Sequence, residues 1–242
     1  METQHIVSFS GGKDSTAMLL MMLEKGMRVD RIINVDTTKE FPEMYAHIKK
    51  VEEFIGREIE TVKIDFDYWF AEHVKTKGKR KGTKGYGWPD FRNRWCTALK
   101  REAFSHILYG KEYKPRKRGI AVVEYHGIAA DEQKRLEKNK DGRDVRYPLA
   151  EWGVAEDEAL KYCFSKGFTW GGLYSEGRSR VSCFCCPLQR MKELELTFLN
   201  HKDLWGEMEN MDALSFRQFR SNYSIPDLRK KFENKNAPNP QS

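Results

Sequence analysis

The 242 residues carry a formal charge of +7 and are 39% apolar, enough for one ordinary core or a core with an appended lobe. No stretch approaches the ~18 uninterrupted apolar residues of a membrane span, and Met1 to His5 lacks the basic start and apolar run of a secretory leader. The sequence therefore reads as that of a cytoplasmic protein without a membrane partner.

His5 to Phe9 reads as a buried strand, Thr16 to Leu23 as a helix apolar almost all round, and Arg31 to Val35 as a second strand. Pro42 opens a further helix with Met44, Ile48, Val51 and Ile55 on one face, and Glu60 to Ile64 is a third strand. This alternation predicts an α/β fold with a parallel twisted sheet flanked by helices and ligands bound beyond the carboxyl ends of its strands. Residues 75–90 form a basic, glycine-rich loop. Arg92 to Leu108 is helical, with Trp95, Leu99, Ala103 and Ile107 along one stripe, and Gly119 to Tyr125 is again β-rich. Glu156 to Lys166 is a helix on which Ala155, Ala159, Leu160 and Cys163 share a stripe, making Cys163 a small core residue. Helical periodicity resumes from about Leu188, and Asn234 to Ser242 reads as a frayed tail. The expected division is a nucleotide-binding core over 1–150 and a small cysteine-containing helical lobe over 151–242 packed on it.

Between the first strand and its helix stands Ser10-Gly11-Gly12-Lys13-Asp14-Ser15. A helix N-terminus offers unpaired N–H groups and partial positive charge to a phosphate, and Gly11 and Gly12 allow the anion to approach the backbone. Ser10 and Ser15 add hydroxyl donors and Lys13 adds charge. Asp14 can cap the helix or help hold a magnesium ion. The bland alternative is a tight turn without a ligand. No Gly-Lys-Ser/Thr follows at Walker spacing.

Of five cysteines, Cys183, Cys185 and Cys186 lie within four residues, and Cys96 comes from the earlier helix. Four thiolates suit a 4Fe–4S cluster or, as the alternative, tetrahedral zinc; Cys96 can instead be an isolated thiol near the substrate. Lys100 lies one helical turn after Cys96, where a cation is expected to depress the thiol pKa. Two basic runs, Lys75-Lys77-Lys79-Arg80-Lys81-Lys84 and Lys114-Arg116-Lys117-Arg118, are either solvated loops or a track for tRNA or DNA over loops 75–84 and 114–118.

The six-residue string resembles the PP-loop of the adenine nucleotide α-hydrolase-like superfamily. Val35-Asp36-Thr37 with Glu40-Phe41-Pro42-Glu43, Arg94-Trp95-Cys96-Thr97 with Leu99-Lys100, Gly127-Ile128 with Asp131-Glu132 and Arg135, and Tyr147-Pro148-Leu149 with Trp152 narrow the resemblance to phosphoadenosine phosphosulfate (PAPS) reductases, over roughly residues 5–190. The resemblance implies that Ser10–Ser15 bind the phosphates of ATP or PAPS, that Asp36 and Thr37 lie near the adenosine, and that Lys100 and Arg135 face the anionic end of the substrate, with Lys13 and Asp14 also in the chemistry. Some relatives carry a 4Fe–4S cluster on a similar cysteine grouping. The chain departs from the thioredoxin-dependent reductases: no Glu-Cys-Gly-Leu/Ile-His tail follows Cys186, and Ala129-Ala130 stands where an arginine is usual. The expected activity is adenine-nucleotide-dependent sulfur transfer by an ATP pyrophosphatase-like enzyme, with a nucleic acid as acceptor and a sulfur donor or reductant protein as partner. The alternatives are sulfonucleotide reduction with release of sulfite, and a non-catalytic nucleotide- and iron-binding subunit or sensor.

Overall fold

A computed structural model describes residues 3–110, 121–137 and 143–237. Five parallel strands, β1 (Thr3–Ser8), β2 (Arg31–Asp36), β3 (Glu60–Lys63), β4 (Ala121–His126) and β5 (Asp144–Arg146), form one sheet in the order β3-β2-β1-β4-β5. The first three strands match the alternation read from the sequence. β5 escaped that reading because three residues, only one of them apolar, carry no usable period.

Neighbouring strand residues divide between two buried clusters, as the period of two requires. Val7, Ile32 and Val123 join the larger cluster, while Ile6, Ile33 and Val122 join a smaller one closed by Phe104. The larger face carries α1 (Lys13–Glu24), buried along nearly its whole length, with α6 (Glu156–Ser165) packed beside it. The larger cluster also takes Met44 and Val51 from α2 (Pro42–Ile55). The smaller face receives α3 (Trp95–Tyr109), whose Phe104 lies off the expected stripe: Trp95 and Phe104 are buried, whereas Leu99 and Ile107 are half-buried. Short helices α4 (Gln133–Leu136) and α5 (Pro148–Glu151) follow β4 and β5. The C-terminal part adds α7 (Met191–Asn200), α8 (Lys202–Leu214) and α9 (Ile225–Asn236), whose Phe198, Trp205, Met208 and Phe232 belong to the same larger cluster. Helix therefore starts at Met191 rather than Leu188, because residues 183–189 are taken up by turns around the cysteines.

The basic stretch after β3 is an ordered hairpin. Val74 and Lys84 form an antiparallel bridge, and the Lys75 amide donates to Thr83. The second basic run, Lys114 to Arg118, lies outside the described residues. Among the described residues no helix is long and apolar enough to cross a membrane.

The strand order reverses direction between β1 and β4, which opens a crevice where the loops after both strands meet. Gly127, just past β4, rests on the first turn of α1. A Cβ there would lie 2.7 Å from the backbone N and Cα of Ser15 and 2.8 Å from the carbonyl carbon of Asp14. Backbone cannot swing aside as a side chain can, so Gly127→Ala should cost about 1–3 kcal/mol, a fall of several degrees in Tm by scanning calorimetry. An unchanged Tm would show that β4 does not press on α1.

Candidate functional site

Gly11 adopts the left-handed region with φ 74°, and Gly12 occupies the cap position of α1 in extended backbone. The loop is closed internally by Ser15, whose hydroxyl donates to the Gly12 carbonyl at 3.1 Å and accepts the Ser10 amide at 3.2 Å, with the Ser10 hydroxyl 3.0 Å away. It is tied externally by a later segment. The Trp170 indole donates to the Gly11 carbonyl at 2.7 Å, and the Lys13 amide donates to the Tyr174 hydroxyl at 3.0 Å. The amides of Gly11, Gly12, Asp14 and Ser15 have no protein acceptor among the described residues. They are the orphan donors that a helix N-terminus offers to an anion.

Lys13 is 5% exposed and its ammonium is held by Glu156 at 2.6 Å and Asp14 at 3.3 Å. Asp14 keeps one carboxylate oxygen buried without a partner. Burial pushes its carboxyl above the usual range, and Lys13 only partly offsets this. An orphaned carboxylate oxygen beside an anion-binding turn fits a magnesium ion arriving with a nucleotide. Cys163 lies beneath the loop, fully buried, its thiol 3.5 Å from the Lys13 carbonyl, and burial pushes that thiol up to about 12.

Past β2 the chain turns sharply. Asp36 is buried, and one of its carboxylate oxygens accepts the Thr38 amide at 2.7 Å and the Tyr45 hydroxyl at 3.1 Å. Thr38 is held at φ 62°, an unusual conformation for a β-branched residue that the Asp36 bond enforces. Glu40 follows, and its Oε1 gathers three groups: the Lys100 ammonium at 3.0 Å, the Cys183 thiol at 3.3 Å and the Thr37 hydroxyl at 3.4 Å. Thr37 Oγ1 is also 3.0 Å from Cys183 Sγ. Sequence reasoning quoted Glu40 only as part of a string; a carboxylate shortly after a strand end gives no sign that a lysine and a cysteine far along the chain will converge on it.

The cysteine loop is built by turns. The Cys186 amide donates to Cys183 and the Gln189 amide to Cys186, while the Gln189 side chain donates to the carbonyls of Cys183 and Phe184. Arg220 clamps the far side by donating to the carbonyls of Pro187 and Gln189 at 2.8 and 2.7 Å. Burial raises the thiols of Cys183, Cys185 and Cys186; Cys183 feels the charge of Cys186, and Cys185 feels both. Cys186 also feels Cys96 and Lys100, whereas Cys185 feels Lys39 and Glu207. Among the described residues no group of three or more His, Cys, Asp or Glu side chains is set in metal-ligating geometry. Four thiols, Cys185 buried and Cys96, Cys183 and Cys186 half-buried, fit a thiophilic metal in donor chemistry, without being preassembled for it.

Two expectations need correction. Lys100 does not depress the Cys96 thiol below its ordinary value: burial raises it, and the Thr97 amide and Lys100 recover only part of the rise. Lys100 is itself raised, since Cys183 and Glu40 outweigh the burial that would lower it. Arg135 is not seen with Lys100. It is an exposed residue of α4 whose guanidinium holds Glu132 at 2.6 Å.

The segment that ties the loop depends on a neutral imidazole. His47, 3% exposed, stacks on Trp170 with ring centroids 4.3 Å apart and lies 3.0 Å from the Thr16 hydroxyl. Burial, with Lys50 adding to it, pushes its pKa down to about 3. A base whose folded pKa is depressed contributes stability that is present above its unfolded value near 6.5 and lost as pH falls toward 3. Urea midpoints of the wild type should therefore fall through that window relative to those of His47→Gln. Parallel curves would remove His47 as the source.

The phosphoadenosine phosphosulfate reductase domain family matches residues 4–189. An uncharacterized protein of Methanocaldococcus jannaschii is 26% identical over 210 residues, covering 85% of this chain and 41% of that protein, so the chain spans less than half of that relative. Among solved structures, the U34-tRNA thiolase NcsA of Methanococcus maripaludis with its 4Fe–4S cluster aligns over 97% of this chain and 72% of its own, at 15% identity and a TM-score of 0.45.

Proposed function

We propose that this chain, which belongs to the phosphoadenosine phosphosulfate reductase domain family, binds an adenine nucleotide on the Ser10–Ser15 loop and uses it to drive transfer of sulfur to an acceptor that is a nucleic acid. The observation that carries the reading is the pairing of two features in one chain: a helix N-terminus with four unclaimed amides, and a cysteine held against a lysine by Glu40.

The amides of Gly11, Gly12, Asp14 and Ser15 take the phosphates, and Asp14, with one carboxylate oxygen left unpaired, would hold the accompanying magnesium. Asp36 and Thr37 fix the turn beside the adenosine. An acceptor oxygen attacks the α-phosphorus, the bond to the bridging oxygen breaks, and pyrophosphate leaves. A sulfide-level sulfur nucleophile from a donor protein then bonds to the activated acceptor atom, the bond from that atom to oxygen breaks, and AMP leaves with the oxygen. Lys100 supplies positive charge next to the thiol of Cys183 and the developing phosphate charge. Glu40 orients the Lys100 ammonium and receives the Cys183 proton in its hydrogen bond. Cys96, Cys183, Cys185 and Cys186 are the residues that would hold a 4Fe–4S cluster, with zinc as the alternative. When bound, the cluster supplies a soft iron centre able to carry sulfur.

The family match favours a second reading, reduction of PAPS. In it a cysteine thiolate attacks the sulfur, the bond from sulfur to the phosphate oxygen breaks, and a thiol reductant releases sulfite.

The test is turnover by anaerobically purified protein given ATP or PAPS with a thiol reductant. AMP and pyrophosphate from ATP, stimulated by added tRNA or DNA, are expected; sulfite and adenosine 3′,5′-bisphosphate from PAPS would replace this reading by the second. Gly12→Val should lose nucleotide binding about ten-fold; a Cβ at Gly12 has room, with the Ser10 and Tyr174 oxygens at 3.7 and 3.8 Å, and circular dichroism on the same sample checks that the two added methyls leave the fold intact. Normal binding by that variant would refute the phosphate site. Cys96→Ala should lower iron content sharply by elemental analysis, and full retention would remove Cys96 from the ligand set.

A further inference from the structure

A cavity of about 450 Å³ opens beside the cysteine loop, lined by Trp88, Phe91, Leu188, Arg217 and Phe219 among others. Both segments that carry candidate ligands contribute to it. Pro187 and Leu188 directly follow Cys186, and Phe91 and Arg92 lie on the approach to Cys96. The Ser10–Ser15 loop does not line it. The cavity therefore lies against the two segments that carry the cysteines and apart from the Ser10–Ser15 loop, with no cysteine in its lining.

Its walls combine flat apolar surface with cations. Phe91 is 75% exposed with the Arg94 guanidinium over its ring at 5.6 Å. Nearby Phe216, 46% exposed, has Lys75 and Arg80 each 4.3 Å from its ring centroid and Arg217 at 5.6 Å. Lys75 and Arg80 come from the basic hairpin, and Arg217 also lines the cavity. Like charges here stand together: burial, Arg80 and Arg217 lower the Lys75 pKa. None of the six cations of the 75–84 hairpin forms an ion pair among the described residues. Arg217 pairs with Asp90, yet its Nε is buried without a partner. The arrangement fits a ligand that is flat, planar in its hydrogen bonding and attached to a polyanion.

We propose that this cavity receives one unpaired nucleobase of a nucleic-acid strand, whose flanking phosphates run over the 75–84 hairpin. Phe91 and Phe216 are stacking surfaces, Arg217 reads the base edge, and Lys75 and Arg80 bind phosphate. The inference rests on the sulfur-transfer reading for its purpose, since the cavity brings an acceptor base to the cysteine side of the site. It rests on the cavity and its charges for its existence.

The test is fluorescence anisotropy of full-length protein with a labelled 12-nucleotide single-stranded RNA, the same sequence as single-stranded DNA, and the DNA duplex. Both single strands should bind more tightly than the duplex, and the tighter of the two identifies the acceptor as RNA or DNA. Phe91→Ala, at an exposed position, and Leu188→Trp, which fills the cavity, should each weaken single-strand binding about ten-fold. Replacing both Lys75 and Arg80 by Gln should flatten the single-strand salt dependence by roughly 1.4 units of slope, about 0.7 for each cation lost. Equal affinity for duplex and single strands, or wild-type binding by both Phe91→Ala and Leu188→Trp, would overturn the proposal. ATP and PAPS binding, measured on the same samples, should be unchanged in these variants. Nucleotide binding without oligonucleotide binding would sink the cavity assignment and leave the phosphate loop standing.

Discussion

The polar groups of the Ser10–Ser15 turn are divided between those that hold the turn and those left unpaired, and the rest of the site depends on that division. Ser15 closes the loop from within, Trp170 takes the Gly11 carbonyl, and Tyr174 takes the Lys13 amide. What is left over is a set of amides at the positive end of a buried helix. Gly127 presses on the same turn from β4, so the loop is fixed from the sheet on one side and from the 170–174 segment on the other. A loop held from two sides costs little reorganisation when an anion arrives.

From this anchor the two halves of the site are connected through the chain. The 170–174 segment that ties the phosphate loop continues through Arg178, whose buried guanidinium lies 4.6 Å from the ring centroid of Phe41, the residue after Glu40. The chain then enters the cysteine loop, where the Phe184 amide donates to the Lys39 carbonyl, the residue before Glu40. Glu40 is thus braced from both neighbours while its own carboxylate holds Lys100 and Cys183. Lys39, buried between Asp67 and Glu207, keeps the back of this region polar but paired.

Much of the fold was legible in the sequence because it is written in local patterns. The strand–helix alternation, Pro42 at a first helical turn and the all-round apolarity of α1 each have a short-range physical cause. Gly11 and Gly12 marked the tight turn between β1 and α1 for the same reason. The site was legible only in parts. The nearness of Lys100 and Cys183 rests on Glu40, and no spacing announces a carboxylate whose partners lie 60 and 143 residues away. The effect of Lys100 on Cys96 was misjudged because helical spacing reports proximity but not burial, and burial dominates that thiol. The 75–84 run read as either a solvated loop or a nucleic-acid track; it is a hairpin closed by the Val74–Lys84 bridge, and the Phe216 ring that meets Lys75 and Arg80 comes from more than 130 residues away, beyond any local signal.

The central claim is that the first turn of α1 is an anion site completed by a nucleotide. Amide hydrogen exchange of the protein with and without ATP or PAPS tests it most directly. The account predicts slowed exchange at Gly11, Gly12, Asp14 and Ser15, with little change at Lys13, whose amide already has the Tyr174 oxygen. Protection elsewhere in the chain with those four amides exchanging at their ligand-free rate would contradict it.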